Sequence, residues 1–148
     1  AWNGRAENLP LNSPEELLTL ASIIEKETSV TSERGKIASV FVNRLNKGML
    51  LQTDPTVIYA ITEGKSDLGR SLKRSDLAID SPYNTYKYAG LPPTPICNAG
   101  LQALQAAAHP EDTPYLYFVA SGDGDHNFAT SLNEHNRNVQ SWLAKIRK

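Results

Sequence analysis

Ser13-Pro14-Glu15-Glu16, running into Leu17-Leu18-Thr19-Leu20-Ala21-Ser22-Ile23-Ile24, commits this chain to a helical beginning more firmly than any other segment. Ser13 is a good N-cap, Pro14 suits the first helical position, and Glu16 stands three residues after the cap, where a capping box needs it. The apolar residues that follow recur at helical spacing, so a helix is predicted from about Pro14 to Ser29. Its apolar stripe has to be covered by other elements.

Candidates for that cover follow in order. A second helix is predicted from near Ser32, with Glu33 in its first turn, Ile37, Val40, Phe41, Arg44 and Leu45 at helical spacing, and Gly48 as its stop. Asp54-Pro55 reads as an N-cap and first position, opening a short helix through Val57, Ile58 and Ile61 to Gly64. From Glu63 to Ala99 the chain is turn-rich, broken at Ser81-Pro82-Tyr83-Asn84 and Gly90-Leu91-Pro92-Pro93. Irregular segments of that length are usually functional. Asn98 is expected to cap a helix across Ala99 to Ala108. Tyr115-Leu116-Tyr117-Phe118-Val119 has the aromatic and β-branched content of a strand, and Asp123-Gly124 signals a hairpin into His126-Asn127-Phe128. A last helix is predicted from Ser131, with Glu134 completing a second capping box and Leu132, Val139, Trp142, Leu143 and Ile146 as its core face. Helices, an irregular segment, a helix, a hairpin and a helix point to an α+β fold, several helices packed with a small antiparallel sheet, over a doubly wound sheet. One domain is expected at residues 13–148, with residues 1–12 a lead-in from a preceding region.

Composition excludes several classes. A chain of 148 residues can bury roughly two thirds of its unfolded surface, enough for a core. With Lys plus Arg at 15 against Asp plus Glu at 16, the basic footprint of a nucleic-acid binder is absent. No apolar run reaches the roughly 20 residues that span a bilayer, and the first residues lack a signal-peptide layout, so the chain as given is expected to be soluble. It opens on Ala1-Trp2-Asn3 with no Met, which suggests a fragment whose anchor or export signal lies upstream. Cys97 is the one cysteine, so no internal disulfide can form.

The chemistry starts at Glu25. At about 100° per residue it falls between Ala21 and Leu18, inside the arc of Leu17, Leu20, Ala21 and Ile24. A carboxyl held against apolar side chains resists ionisation, which is how a general acid is made. Glu27 lands on the opposite edge of the apolar face, near Leu20 and Ile23. Residues two apart on a helix diverge by about 200°, so Glu25 and Glu27 are not a catalytic pair of carboxylates. The competing reading is structural: either glutamate could sit in a buried ion pair with Arg34 or Arg44.

Gln52-Thr53-Asp54-Pro55-Thr56 forms a second polar knot, in which Thr53 or Asp54 as a plain helix cap competes with substrate contact. Tyr83-Asn84-Thr85-Tyr86 combines aromatic faces with amide and hydroxyl groups that suit sugars, and equally suits an ordinary turn. Asp123, Asp125, Asn127, Ser131 and Glu134 occupy ligand positions of a calcium loop, but Phe128 stands where the sharp turn needs glycine. His109, His126 and His135 lack the spacing of a zinc site and are read as surface or hydrogen-bonded histidines. No nucleophilic-serine elbow and no phosphate-cradling glycine loop is present. Neither a metal nor a cofactor is expected.

Leu20-Ala21-Ser22-Ile23-Ile24-Glu25-Lys26-Glu27-Thr28, Val40-Phe41-Val42-Asn43-Arg44-Leu45, Leu51-Gln52-Thr53-Asp54-Pro55-Thr56-Val57-Ile58-Tyr59 and Tyr83-Asn84-Thr85-Tyr86 share a further property. With Gly90-Leu91-Pro92-Pro93, Ala106-Ala107-Ala108-His109-Pro110 and Tyr115-Leu116-Tyr117-Phe118-Val119 they resemble, in order, the blocks of the YceG-like endolytic murein transglycosylases (MltG). The resemblance implies a catalytic domain held at the bacterial inner membrane by an upstream helix and facing the periplasm. It implies nascent peptidoglycan glycan strands as substrate, cut internally between N-acetylmuramic acid and N-acetylglucosamine with a 1,6-anhydro end, and cell-wall synthases as candidate partners. The family's LysM-like subdomain would be missing or reduced to the opening residues. The family's glutamate is matched to Glu25, as general acid and then base. Gln52, Asp54, Asn84 and Tyr86 are expected to line the cleft, Glu27 to act in support as an ion-pair partner, and Asn43 as an orienting hydrogen bond. A muramidase-type hydrolase and a non-catalytic peptidoglycan-binding module stand as alternatives.

Overall fold

The computed structural model describes residues 2–146. Ala1 and residues 147–148, the outer ends of the two expected regions, lie outside them. Five helices and one hairpin appear in the order α1 (Pro14–Glu27), α2 (Arg34–Lys47), α3 (Asp54–Thr62), α4 (Leu101–Ala108), β1 (Tyr117–Ala120), β2 (His126–Ala129) and α5 (Leu132–Ile146). Short 3-10 turns at Thr31–Glu33 and Arg74–Ala78 complete the list of helical segments. The fold is α+β, as the order of elements predicts.

α1 starts as its sequence dictates, with the Ser13 hydroxyl accepting the Glu16 N–H at 3.2 Å. The Glu16 carboxylate reaches one residue further back than a capping box requires and takes the Asn12 N–H at 2.8 Å. α5 repeats the arrangement, Ser131 capping Glu134 while Glu134 accepts from Thr130. α1 stops at Glu27, two residues short of the expected end, because Thr28 is extended. Its buried face is Leu17, Leu20, Ala21, Ile23 and Ile24, whereas Leu18 is 43% exposed. Each large aliphatic side chain so covered contributes about 1.5–3 kcal/mol. α4 supplies the cover with Ala103, Ala107 and Ala108, small residues that let the helices approach closely, and α2 adds Ile37, Ala38 and Phe41. The expected lead-in packs on this core too: Leu11 is buried, Trp2 and Leu9 rest against the cluster, and the Ala6 N–H bonds the Ala108 carbonyl at 2.8 Å.

α2 ends where Gly48 adopts the left-handed conformation, φ 70°, which lets Met49 return a hydrogen bond to the Arg44 carbonyl. α4 begins at Leu101, three residues after the predicted Asn98 cap, with Gly100 as N-cap. The hairpin pairs Tyr117 with Ala129, Phe118 with Phe128, Val119 with Asn127 and Ala120 with His126. β1 starts two residues later than predicted because the carbonyls of Thr113, Tyr115 and Leu116 are taken by side chains of α2.

α5 packs on both strands, yet none of its described residues is buried, and Leu132 and Ile146, predicted as core, are each 56% exposed. Two strands about 5 Å apart cannot cover the apolar face of a helix about 10 Å across. Val139, Trp142 and Leu143 are therefore half-buried. Among the described residues no helix is long and apolar enough to cross a membrane.

Candidate active site

Glu27 closes α1, four residues after Ile23 and seven after Leu20, both fully buried. Its carboxyl opens on a cleft of about 500 Å³ between the helical body and the unit formed by the hairpin and α5. Burial, the largest influence, pushes the Glu27 carboxyl above the ordinary glutamate value, and the nearby Asp54 charge adds to the shift. A hydrogen bond from the Thr53 hydroxyl and the neighbouring His126 act in the opposite direction without cancelling it.

The Thr53 contact is built from below. Thr53 precedes α3, but its hydroxyl makes no cap; it donates to Glu27 Oε1 at 2.7 Å. Its backbone N–H donates to the Thr85 hydroxyl at 3.0 Å, and Thr85 and Thr56 share a hydroxyl contact of 2.8 Å. All three threonines are buried, and Thr56 returns a bond to the Thr53 carbonyl. This hydroxyl cluster ties α3 and the Tyr83–Tyr86 turn to the end of α1.

Gln52, Asp54 and Tyr86 meet in the same cleft. Gln52 has φ 52°, in the left-handed region that costs a non-glycine residue of order 1 kcal/mol, and it lines the cleft from that strained position. The Tyr86 hydroxyl donates to Asp54 Oδ1 at 2.5 Å. Burial first, then the bond to Asp54, push the Tyr86 phenol far above its ordinary value, so it stays a neutral donor. Tyr86→Phe, which keeps the ring and removes only the donated bond, is expected to leave Tm within ~2 °C, measured by thermal denaturation.

The hairpin unit supplies the facing wall with Tyr117, Phe118, Val119 and His135. It is fastened to α2. Asn43 Nδ2 donates to the Thr113 and Tyr115 carbonyls at 2.8 and 2.9 Å, so its amide holds the segment that leads into β1. Arg44 Nε donates to Leu116 O at 2.7 Å, one terminal nitrogen donates to Leu50 O at 2.8 Å, and the guanidinium lies 4.9 Å from the Tyr117 ring centroid. At the far side the Glu33 carboxylate binds His126 at the backbone N–H, 3.0 Å, and at Nδ1, 2.8 Å.

Glu25 is elsewhere. Its Oε1 accepts the Gly100 N–H at 2.7 Å, at the N-terminus of α4, where a carboxylate complements the helix dipole. A Cβ at Gly100 would stand 2.9 Å from the Glu25 oxygen, so a larger residue there would push the end of that side chain aside. Neither glutamate finds the arginine partner considered from sequence. Arg34 donates to Thr31 and Gln102, Arg44 donates to carbonyls, and no salt bridge among the described residues includes Glu25 or Glu27. Asn84 does not line the cleft either: it is fully buried, its Nδ2 donating to the Leu77 and Ile79 carbonyls at 2.9 and 2.8 Å while Oδ1 accepts the Tyr86 N–H at 3.0 Å. Among the polar cleft residues, Arg44, Tyr117, His135 and Asn136 are not assigned to substrate by sequence patterns, and Thr53 only in competition with a helix-cap reading. Thr53 and Arg44 carry a signal in retrospect, a polar residue placed beside apolar positions that end up covered.

The chain matches the YceG-like family over residues 2–141. It is 52% identical over 132 residues to an endolytic murein transglycosylase of Bacillus subtilis, covering 89% of this chain and 36% of that protein. It is 41% identical over 139 residues to an endolytic murein transglycosylase of Streptococcus pneumoniae, covering 91% of this chain and 24% of that protein. A crystal structure of a yceG-like protein from Listeria monocytogenes superposes with a TM-score of 0.74 at 49% identity, over 83% of this chain and 38% of that one. The chain thus spans about a quarter to two fifths of the length of these relatives. By family match, identity and fold, the chain belongs to the YceG-like family.

Proposed function

We propose that this chain carries the active site of an endolytic peptidoglycan lytic transglycosylase, and that Glu27, in place of Glu25, is its general acid and then its base. The observation that supports this best is the Glu27 carboxyl itself, desolvated in a cleft whose other groups are hydroxyls, amides and aromatic rings. A glutamic acid that keeps its proton can give it to the glycosidic oxygen as the bond from C1 of N-acetylmuramic acid breaks. The sugar's own C6 hydroxyl then closes on C1, and the Glu27 carboxylate takes the hydroxyl proton. One new C–O bond replaces the one broken, no water is consumed, and the acid returns to its starting form. The nucleophile is part of the substrate, so its placement supplies the proximity advantage without a second protein carboxylate. Thr53, bonded to one Glu27 oxygen, fixes the orientation of the carboxyl. Gln52, Asp54 and Tyr86 are cast as partners for sugar hydroxyl and acetamido groups.

Asp54 favours a second reading. It is another carboxylate in the same cleft, and as a base it could activate water and make the site a muramidase. Digestion of purified sacculi followed by mass spectrometry separates the two. Anhydro-ended products, one water lighter, are expected; reducing ends would transfer the reaction to the hydrolytic pair, and binding without cleavage would leave a glycan-binding module.

That two relatives are named endolytic murein transglycosylases supports peptidoglycan as substrate. In the whole protein we place this domain in the periplasm, tethered by an inner-membrane helix and preceded by a LysM-like region that residues 1–12 lead out of, with cell-wall synthases as partners.

A further inference from the structure

His135 stands in the first turn of α5 and lines the cleft that holds Glu27. Its ring stacks on Tyr117, centroids 5.0 Å apart and planes 24° apart, and Tyr117 in turn lies beside the Arg44 guanidinium. The stack fixes the imidazole in a definite orientation. Nδ1 is enclosed by protein and meets no hydrogen-bond partner among the described residues. Nε2 is not enclosed in that way, and no bond from it to another described residue is made, so it is the nitrogen left for a ligand. Burial, and secondarily the Arg44 charge, pull the imidazole below its ordinary value, which keeps it neutral at pH 7.

A neutral imidazole has one N–H to place. Put on Nδ1, the proton would be a buried donor with no acceptor among the described residues. Put on Nε2, it faces the cleft. The acceptor it suits is uncharged: the Asp54 carboxylate lines the same space and disfavours an anion, and Arg44 Nε and one terminal nitrogen already serve carbonyls. Resting on the glycan reading above, we propose that His135 is a further substrate-binding residue whose Nε2–H donates to an acetamido carbonyl or a hydroxyl oxygen of the glycan strand, from the hairpin wall of the cleft.

The test uses the Glu27→Gln chain, which holds ligand without turning it over, and a stem-free tetrasaccharide of alternating N-acetylglucosamine and N-acetylmuramic acid. Calorimetric titration is expected to give a Kd about ten-fold weaker when His135→Phe, which preserves the stack, is added to Glu27→Gln. In nitrogen-15 NMR the His135 Nε2–H resonance should move on addition of the sugar. In the otherwise unaltered chain His135→Phe should raise KM about ten-fold with kcat within about two-fold. Equal Kd values with and without the substitution, or an unmoved Nε2–H resonance in the saturated protein, overturn the role of His135 while leaving the glycan reading intact. Failure of the tetrasaccharide to bind the Glu27→Gln chain at all overturns both.

Discussion

Glu27→Gln is expected to lower the rate of glycan cleavage by about 10²- to 10⁴-fold, the range over which a positioned general acid acts. Glu25→Gln, two residues away on the same helix, should stay within a few-fold of the unaltered chain. The contrast is decisive because the two carboxyls do different things. Glu27 is desolvated in the cleft, and Gln keeps its shape and its acceptor for Thr53 while removing the transferable proton. Glu25 holds the N-terminus of α4, so its loss should appear as about 0.5–1 kcal/mol of stability instead. Release of anhydro-muropeptides from sacculi reads the first effect, and thermal denaturation reads the second. The opposite pattern, a dead Glu25→Gln and an active Glu27→Gln, would falsify the assignment.

Glu27→Gln should also gain stability, in a pH-dependent way. The folded chain keeps the Glu27 proton to higher pH than the unfolded chain does, so the contribution of this group is fully present below the ordinary value of 4.5 and is lost as pH rises through the elevated folded value. Gln has no such loss. Its advantage should be absent near pH 4 and should grow as pH rises above it, read as the Tm difference between the two chains across a pH series. A catalytic site that costs stability is the expected trade.

Asn84→Ala should lower Tm by about 6–12 °C, corresponding to roughly 3 kcal/mol. Ala strands the carbonyls of Leu77 and Ile79 and the N–H of Tyr86 in a fully buried position. The same change should lower activity through Tyr86, whose hydroxyl has to reach Asp54. Were Asn84 a sugar contact, the substitution would raise KM and leave Tm alone; differential scanning calorimetry beside steady-state kinetics distinguishes these outcomes.

The glutamate pair shows what was legible and what was not. Ser13, Pro14 and the apolar spacing are local signals, and they placed α1 within two residues of its end. Choosing between Glu25 and Glu27 needed to know which edge of the apolar stripe other elements cover. Glu25 follows Leu18 by seven residues, and Leu18 is 43% exposed; Glu27 follows Leu20 and Ile23, which are wholly enclosed. The cover at that edge comes from the loop carrying Thr53, 26 residues further on, which helical periodicity cannot foresee. Asn84 failed for the same reason, since an amide suited to a sugar is equally suited to three backbone groups brought to it by a turn. Gln52, Asp54 and Tyr86 came together as expected because the blocks that hold them were read as units. The α5 core face overreached, since its residues were right in spacing but met only a two-stranded hairpin.

The hairpin wall is anchored to the body by Glu33 at one end and by Asn43 and Arg44 at the other, all on α2 or the turn that leads into it. Ten or eleven residues of helix set those anchors about 16 Å apart at 1.5 Å per residue. α2 therefore acts as a caliper: the aperture between the acid and the opposite wall is inherited from the length of one rigid rod. An insertion or deletion inside α2 would change the gauge of the groove before it touched any residue that lines it.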